Sequence, residues 1–218
     1  MTEIIIRRGE PRDAASVAAL FAAAFGDSIS HVFPDGVPLH VLEDLMLFIL
    51  KHDPWACHVA VECRSDGDLV LGYCLSPASM PRLWVRAFIS GDILRIIWRV
   101  LTRQFPVNWR QLRTLSRNKV SFLDSFRVVR FSGRAQILSV AVSPEAQGHG
   151  VGTRLVKNAL ASLRRQKVSA VKLEVRPDNE PALKLYENLG FRRWGTTEDS
   201  QGTWLVMMKE LENLKKRG

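Results

Sequence analysis

Residues 137–156 read ILSVAVSPEAQGHGVGTRLV, and this stretch decides the fold. It opens with an apolar run from Ile137 to Val142. A turn follows at Ser143-Pro144-Glu145-Ala146, and then Gln147-Gly148-His149-Gly150-Val151-Gly152. From Val151 onward, apolar residues recur at helical spacing: Val151, Leu155, Ala159 and Leu163, with Val156 and Leu160 beside them. Arg154, Lys157, Asn158, Arg164 and Arg165 take the opposite face. The pattern predicts a strand, a glycine loop and an amphipathic helix. A helix N-terminus offers unpaired N–H groups and about half a positive charge, which suits an anion. Glycines let a phosphate approach the backbone and allow φ > 0. Gln147 to Thr153 is therefore expected to cradle a diphosphate. Taken alone, the glycines also fit a turn that merely caps a helix. They match the dinucleotide-binding pattern only in part, because the loop falls late in the chain and lacks that pattern's last glycine.

A second unit follows at once. Ala170 to Val175 reads as a buried strand, and Arg176-Pro177-Asp178-Asn179 is turn chemistry. Pro181 suits the first turn of a helix and Gly190 suits its end; Ala182 to Leu189 lie between them. Together the two units resemble the GNAT superfamily of acyl-CoA N-acyltransferases. Gln147, Gly150 and Gly152 stand at the defining positions of its coenzyme loop. Asn179, Leu185, Tyr186, Gly190 and Phe191 match its second signature. The run Leu173-Glu174-Val175-Arg176, followed by Asn179, is similar to the branch that acetylates protein N-terminal amines. The clear resemblance covers roughly residues 135–210.

The resemblance implies an α/β GNAT fold: a mixed, twisted sheet with flanking helices, carrying here a helical insertion before the coenzyme-binding strand. It implies acetyl-CoA as the acyl donor and a primary amine of a small molecule or protein as the acceptor, with direct attack on the thioester and no metal. The residues it assigns to the coenzyme are Val140, Ala141, Val142, Gln147, Gly148, His149, Gly150, Val151, Gly152, Thr153 and Asn179. Within that set the Val140 N–H is expected to bond the thioester carbonyl. Asn179 has an equally simple reading as a turn cap.

The chemistry sets requirements of its own. A lysine-like amine has a pKa near ~10.4, so at neutral pH it must lose a proton before it attacks. The site needs a proton acceptor, a donor for the developing oxyanion and an acid for the departing thiolate. By resemblance Glu174 is the base and Tyr186 the thiolate acid. The plain alternatives are a carboxylate paired with Lys172 or Arg176, and an aromatic packed on the sheet. Ser139 lies on the coenzyme-facing strand but is no strong base. Other classes stay open: use of a longer acyl-CoA or an acyl carrier protein, or a non-catalytic acyl-CoA-binding module.

The 218 residues fit one domain, or one domain with a sizeable insertion, and 46% apolar content is ample for a core. Ile4 to Ile6 is too short for a signal, and no apolar run approaches the ~20 residues of a membrane span. With Cys57, Cys63 and Cys74 in no metal or redox spacing, reduced thiols in the cytoplasm are expected. In order, the chain predicts a strand at Glu3–Arg7 and a helix from Asp13 to about Phe25. A loop at Gly26–Pro38 follows, then a helix at Leu39–Lys51 and a hairpin of Trp55–Cys63 with Leu69–Leu75. By resemblance, Asp27 to Val37 line the acceptor site, with His31 and Asp35 as its polar groups. Turn chemistry alone would also account for both. Thr203 to Met208 reads as a last strand and the chain end as a charged tail.

The segments are then 1–76, an insertion at 77–134, 135–211 and the tail 212–218. The insertion holds 12 of the 31 basic residues and two of the 22 acidic ones, which leaves 19 basic and 20 acidic elsewhere. It thus carries the whole positive excess. Asp92 to Gln104 predicts an apolar helix with Arg95, Arg99 and Arg103 on one stripe. Trp84, Trp98 and Trp109 also fall in the insertion. Its expected roles are a cover over the acceptor side, a homodimer contact, or docking of an acidic partner or membrane surface that would hold the enzyme at the membrane periphery. Nucleic acid is not expected, because the aromatic and basic residues follow helical packing.

Overall fold

A computed structural model of the protein describes residues 3–33, 36–65, 67–79, 85, 86, 88–90 and 135–211. The helix expected at Asp92–Gln104, its arginine stripe, the three insertion tryptophans, Asp35 and the tail lie outside these residues. The elements in chain order are β1 (Ile4–Arg8), α1 (Ala14–Val32), α2 (Leu39–His52), β2 (Cys57–Glu62), β3 (Leu69–Leu75), β4 (Ala135–Ile137) and β5 (Ser139–Val142). They continue with α3 (Val151–Arg165), β6 (Ala170–Val175), α4 (Glu180–Asn188), β7 (Arg192–Asp199) and β8 (Gly202–Glu210). Among the described residues, no helix is long and apolar enough to cross a membrane.

The strands form two four-stranded sheets, ordered β1-β2-β3-β5 and β4-β6-β8-β7. The first is antiparallel throughout; in the second, β4 runs parallel to β6. The expected single strand over Ile137–Val142 is therefore divided. Ile137 pairs with Leu173 of β6, whereas Ser139 pairs with Leu75 of β3. Leu138 N–H also donates to Leu75 O, so two successive residues face one partner. One residue too many bends a strand, and here the bend moves the chain from one sheet to the other.

Two apolar clusters fix which side of each sheet meets which helix. One gathers Leu155, Leu160 and Leu163 of α3 and Leu183 of α4 with Cys74, Leu173, Val175 and Met207. The other packs α1 and α2 on the opposite face of the first sheet, around Val59, Tyr73, Leu75 and Ala141. α1 and α2 thus cover the first sheet, while Lys172 and Glu174 of the second sheet face the same side of the molecule as these helices.

α1 differs from expectation in length. Gly26 was expected to end it, but the helix runs on to Val32 with a kink at Phe25 (φ −122°, ψ 21°). A helical glycine costs about 1 kcal/mol. Burial of Phe25 and Ile29 against the second cluster outweighs that. His31 consequently sits on the last helical turn, exposed, rather than in a loop. Asp13 does not cap α1 through its side chain. It is buried, takes both Arg7 guanidinium nitrogens at 2.7 and 2.9 Å, and accepts the Glu10 N–H.

His58 of β2 is 6% exposed, stands between Arg8 and Cys74, and its Nδ1 has no partner. Burial lowers the imidazole to about 4, and the charges of Arg8 and Arg165 push the same way. The unfolded chain then binds the extra proton below about 6.5, while the native state refuses it until about 4. Stability is intact above that window and falls as pH drops through it, by at most about 3 kcal/mol. Thermal melts from pH 7 to pH 4 are expected to show this loss, and His58→Leu to remove that share of the slope. Identical slopes in both proteins would mean that His58 protonates freely in the fold.

Candidate functional site

The strand switch creates the site. Ser143 N–H donates to Leu71 O, so the alternation of an antiparallel ladder turns Ala141 and Ser139 toward β3. The main-chain groups of Val140 and Val142 point the other way, toward the second sheet. No strand pairs with them there, because β6 meets β4 only as far as Leu173. Glu174 and Val175 pair with β8 on their far side. The outer edge of β5 and the end of β6 thus form the two walls of a cleft whose hydrogen-bonding groups are main-chain.

The glycine loop closes one end of this cleft. Gly148 (φ 77°) and Gly150 (φ 72°) both adopt left-handed backbone, and a Cβ at either would meet nothing within 4 Å. The space above them is open. The first helical hydrogen bond of α3 is Arg154 N–H to Gly150 O, at 3.0 Å. The N–H groups of Val151, Gly152 and Thr153 therefore precede the ladder and face outward at the helix start. Gly152 has a different reason: its Cβ would sit 3.2 Å from Leu185 Cδ1, so the bare backbone lets α3 lie against α4.

Gln147 Nε2 donates to Val142 O at 3.0 Å, which ties the loop back to the strand edge. His149 Nδ1 donates to Gln147 O at 2.8 Å. The loop is braced by its own side chains, which leaves its outward main-chain N–H groups open to a ligand. Asn179 Oδ1 accepts the Ala182 N–H at 3.1 Å, so it caps α4. A coenzyme contact from Asn179 would have to use its amide nitrogen.

Tyr186 lies beneath the cleft. It is 9% exposed, and its ring meets Phe191 edge-on at 5.6 Å. Burial, with Cys74 nearby, raises its phenol above the ordinary value, so it is a hydroxyl at neutral pH. Cys74 pairs with Val140, which brings Tyr186 to the strand edge where the main chain is open. Glu174 stands on the cleft rim, on the α1–α2 side. Its Oε1 takes Lys172 Nζ at 3.3 Å. Tyr73 and Ser139 carry buried hydroxyls near each other on the face under α1 and α2; burial raises the Tyr73 phenol, and the Ser139 hydroxyl acts against that rise. Sequence reasoning missed Cys74 as a neighbour of Tyr186, because about 110 residues separate them and no local pattern links them. Among the described residues, no group of three or more His, Cys, Asp or Glu side chains could hold a metal.

The family model for the acetyltransferase (GNAT) family matches residues 47–191. The chain belongs to this family. A mycothiol acetyltransferase of Acidothermus cellulolyticus is 44% identical over 61 residues, which cover 28% of this chain and 19% of that protein. The N-alpha-acetyltransferase 30 of Xenopus laevis is 34% identical over 157 residues, covering 63% of this chain and 57% of that protein. The chain therefore spans between about a fifth and three-fifths of these relatives' own length. Among solved structures, the NatC complex bound to Gag peptide and CoA superposes with a TM-score of 0.60 at 18% identity, covering 96% of this chain and 99% of that one. At that identity the likeness bears on the fold alone.

Proposed function

We propose that this GNAT protein transfers an acetyl group from acetyl-CoA to a primary amine. The observation that carries the proposal is the edge of β5 at Val140 and Val142, which no neighbouring strand covers, beside the open start of α3 and near Tyr186. Coenzyme A bound there supplies the thioester, and the N–H groups of Val151, Gly152 and Thr153 hold its diphosphate. The Val140 N–H bonds the thioester carbonyl and supports negative charge as the amine adds. Glu174, across the cleft, takes the proton from the amine directly or through water. A thiolate pKa near ~8.5 lies below that of any tyrosine, so Tyr186 acts mainly as a hydrogen-bond donor to the departing sulfur.

The acceptor enters from the side shared by α1, α2 and Glu174, opposite α3 and α4. The likeness to an N-alpha-acetyltransferase and to a complex with a bound peptide supports a protein N-terminus, with a small amine as the other acceptor class. A panel of peptide and small-molecule amines, followed by thiol release from acetyl-CoA, tests both. Absence of turnover with saturating coenzyme binding would reduce the protein to a binding module. With an active acceptor, Glu174→Gln is expected to lower kcat/KM about 10²-fold and to change its pH profile. An unchanged profile would assign the proton to water or another group. The basic insertion is proposed to draw in an acidic acceptor or membrane surface. That predicts an acceptor KM rising with ionic strength, since the Debye length shrinks from ~10 Å at 0.1 M to ~3 Å at 1 M. A salt-independent KM would remove this role.

A further inference from the structure

Glu174 is held by a residue two places earlier in the chain. Lys172 and Glu174 point to the same face of β6, where side chains of one parity line up. Their neighbours across the sheet are Gln136 on β4 and Met208 and Val206 on β8. All three are buried, so the immediate cross-strand neighbours of the two charges are uncharged and largely apolar, while Arg176, next on that face, lies over the Trp204 ring at 4.6 Å. A charge in such surroundings needs a partner. The Lys172 and Glu174 side chains are only 12% and 22% exposed, and they meet at 3.3 Å. The bond engages Oε1, and Glu174 makes no other side-chain hydrogen bond or ion pair among the described residues.

We propose that Lys172 is a positioning residue for the acetyl transfer: it fixes Glu174 by Oε1 so that Oε2 is presented to the acceptor amine at the cleft rim. This rests on the reading of Glu174 as the proton acceptor. A carboxylate on a strand face is free to turn about three side-chain torsions, and holding one oxygen leaves the other a single direction. Placement of this kind is worth rate rather than affinity, because it shapes the step in which the proton moves.

The test is a double-mutant cycle, using the best acceptor of the amine panel and the full chain. Lys172→Met is expected to lower kcat about 10-fold with acceptor KM and coenzyme A affinity within about twofold of wild type. Lys172→Arg restores most of the rate, because it keeps the charge and the donor. In a Glu174→Gln background, Lys172→Met should cost almost nothing further. A full additional loss in that background would make Lys172 a packing residue and overturn the inference, as would a silent Lys172→Met beside an impaired Glu174→Gln. A silent Glu174→Gln would instead overturn the assignment of the base on which the inference stands. Melting curves of all five proteins separate these outcomes from unfolding.

Discussion

Gly150→Asp is expected to raise the dissociation constant for coenzyme A by at least about 10²-fold while the protein stays folded. The two halves of that expectation come from different magnitudes. Gly150 has φ 72°, and an L-residue in that region costs roughly 1–2 kcal/mol, less for Asp than for most. Its Cβ would meet no atom within 4 Å, so no clash is added. The carboxylate, however, would stand at the start of α3, where the diphosphate is proposed to lie. Two unit charges about 4 Å apart near a protein surface repel by about 4 kcal/mol, which is close to 10³ in affinity. Repulsion therefore exceeds strain. Gly150→Ala separates the two, since it keeps the strain without the charge and should lose far less affinity. Calorimetric titration with coenzyme A reads both variants. An unchanged Gly150→Asp affinity would move the diphosphate elsewhere.

The other large effect is on turnover. Tyr186→Phe should lower kcat about 10²-fold and leave coenzyme A affinity within about twofold. The substitution keeps the ring, its edge contact with Phe191 and its place in the core, and removes only the hydroxyl. Because burial raises the phenol, complete proton transfer to a thiolate is uphill. The hydroxyl then stabilises charge on the sulfur as the bond breaks, and a charge-assisted hydrogen bond in a dry site is worth about 2–3 kcal/mol. Solvent isotope effects and leaving-group dependence would follow the loss. A variant that loses binding and turnover equally would assign Tyr186 to packing.

Much of this architecture is legible in the sequence, for reasons that differ along the chain. β3 and α3 have strong local patterns, alternation or helical periodicity, and their bounds follow closely. The loop at Gly148 and Gly150 is legible because left-handed backbone there selects glycine. β7 is not legible: Arg192 to Asp199 is polar and mostly exposed, and it is a strand only because β8 pairs with it. The overrun of α1 past Gly26 depends on where Phe25 and Ile29 find a core. The switch at Leu138 depends on two partners more than 30 residues away in either direction. At the site, Glu174 and Tyr186 are readable as candidates from the resemblance. That Tyr186 and Cys74 share one core cluster emerges only from tertiary packing, whereas the Lys172–Glu174 pair, two residues apart on one strand, is readable as an alternative in the sequence.

The break at Leu138 also bears on how such a protein can change over time. On the proposed reading, donor recognition falls to peptide groups at a strand edge and a helix start, which every residue type except proline carries in full. Exchanges among the side chains of Val140 and Val142 leave those peptide groups in place as long as the strand persists. Acceptor recognition, on the same reading, would depend on side chains at the α1–α2 junction and on β6. The two specificities are therefore written in separable parts of the chain, and a lineage is free to rewrite the second while the first stands still.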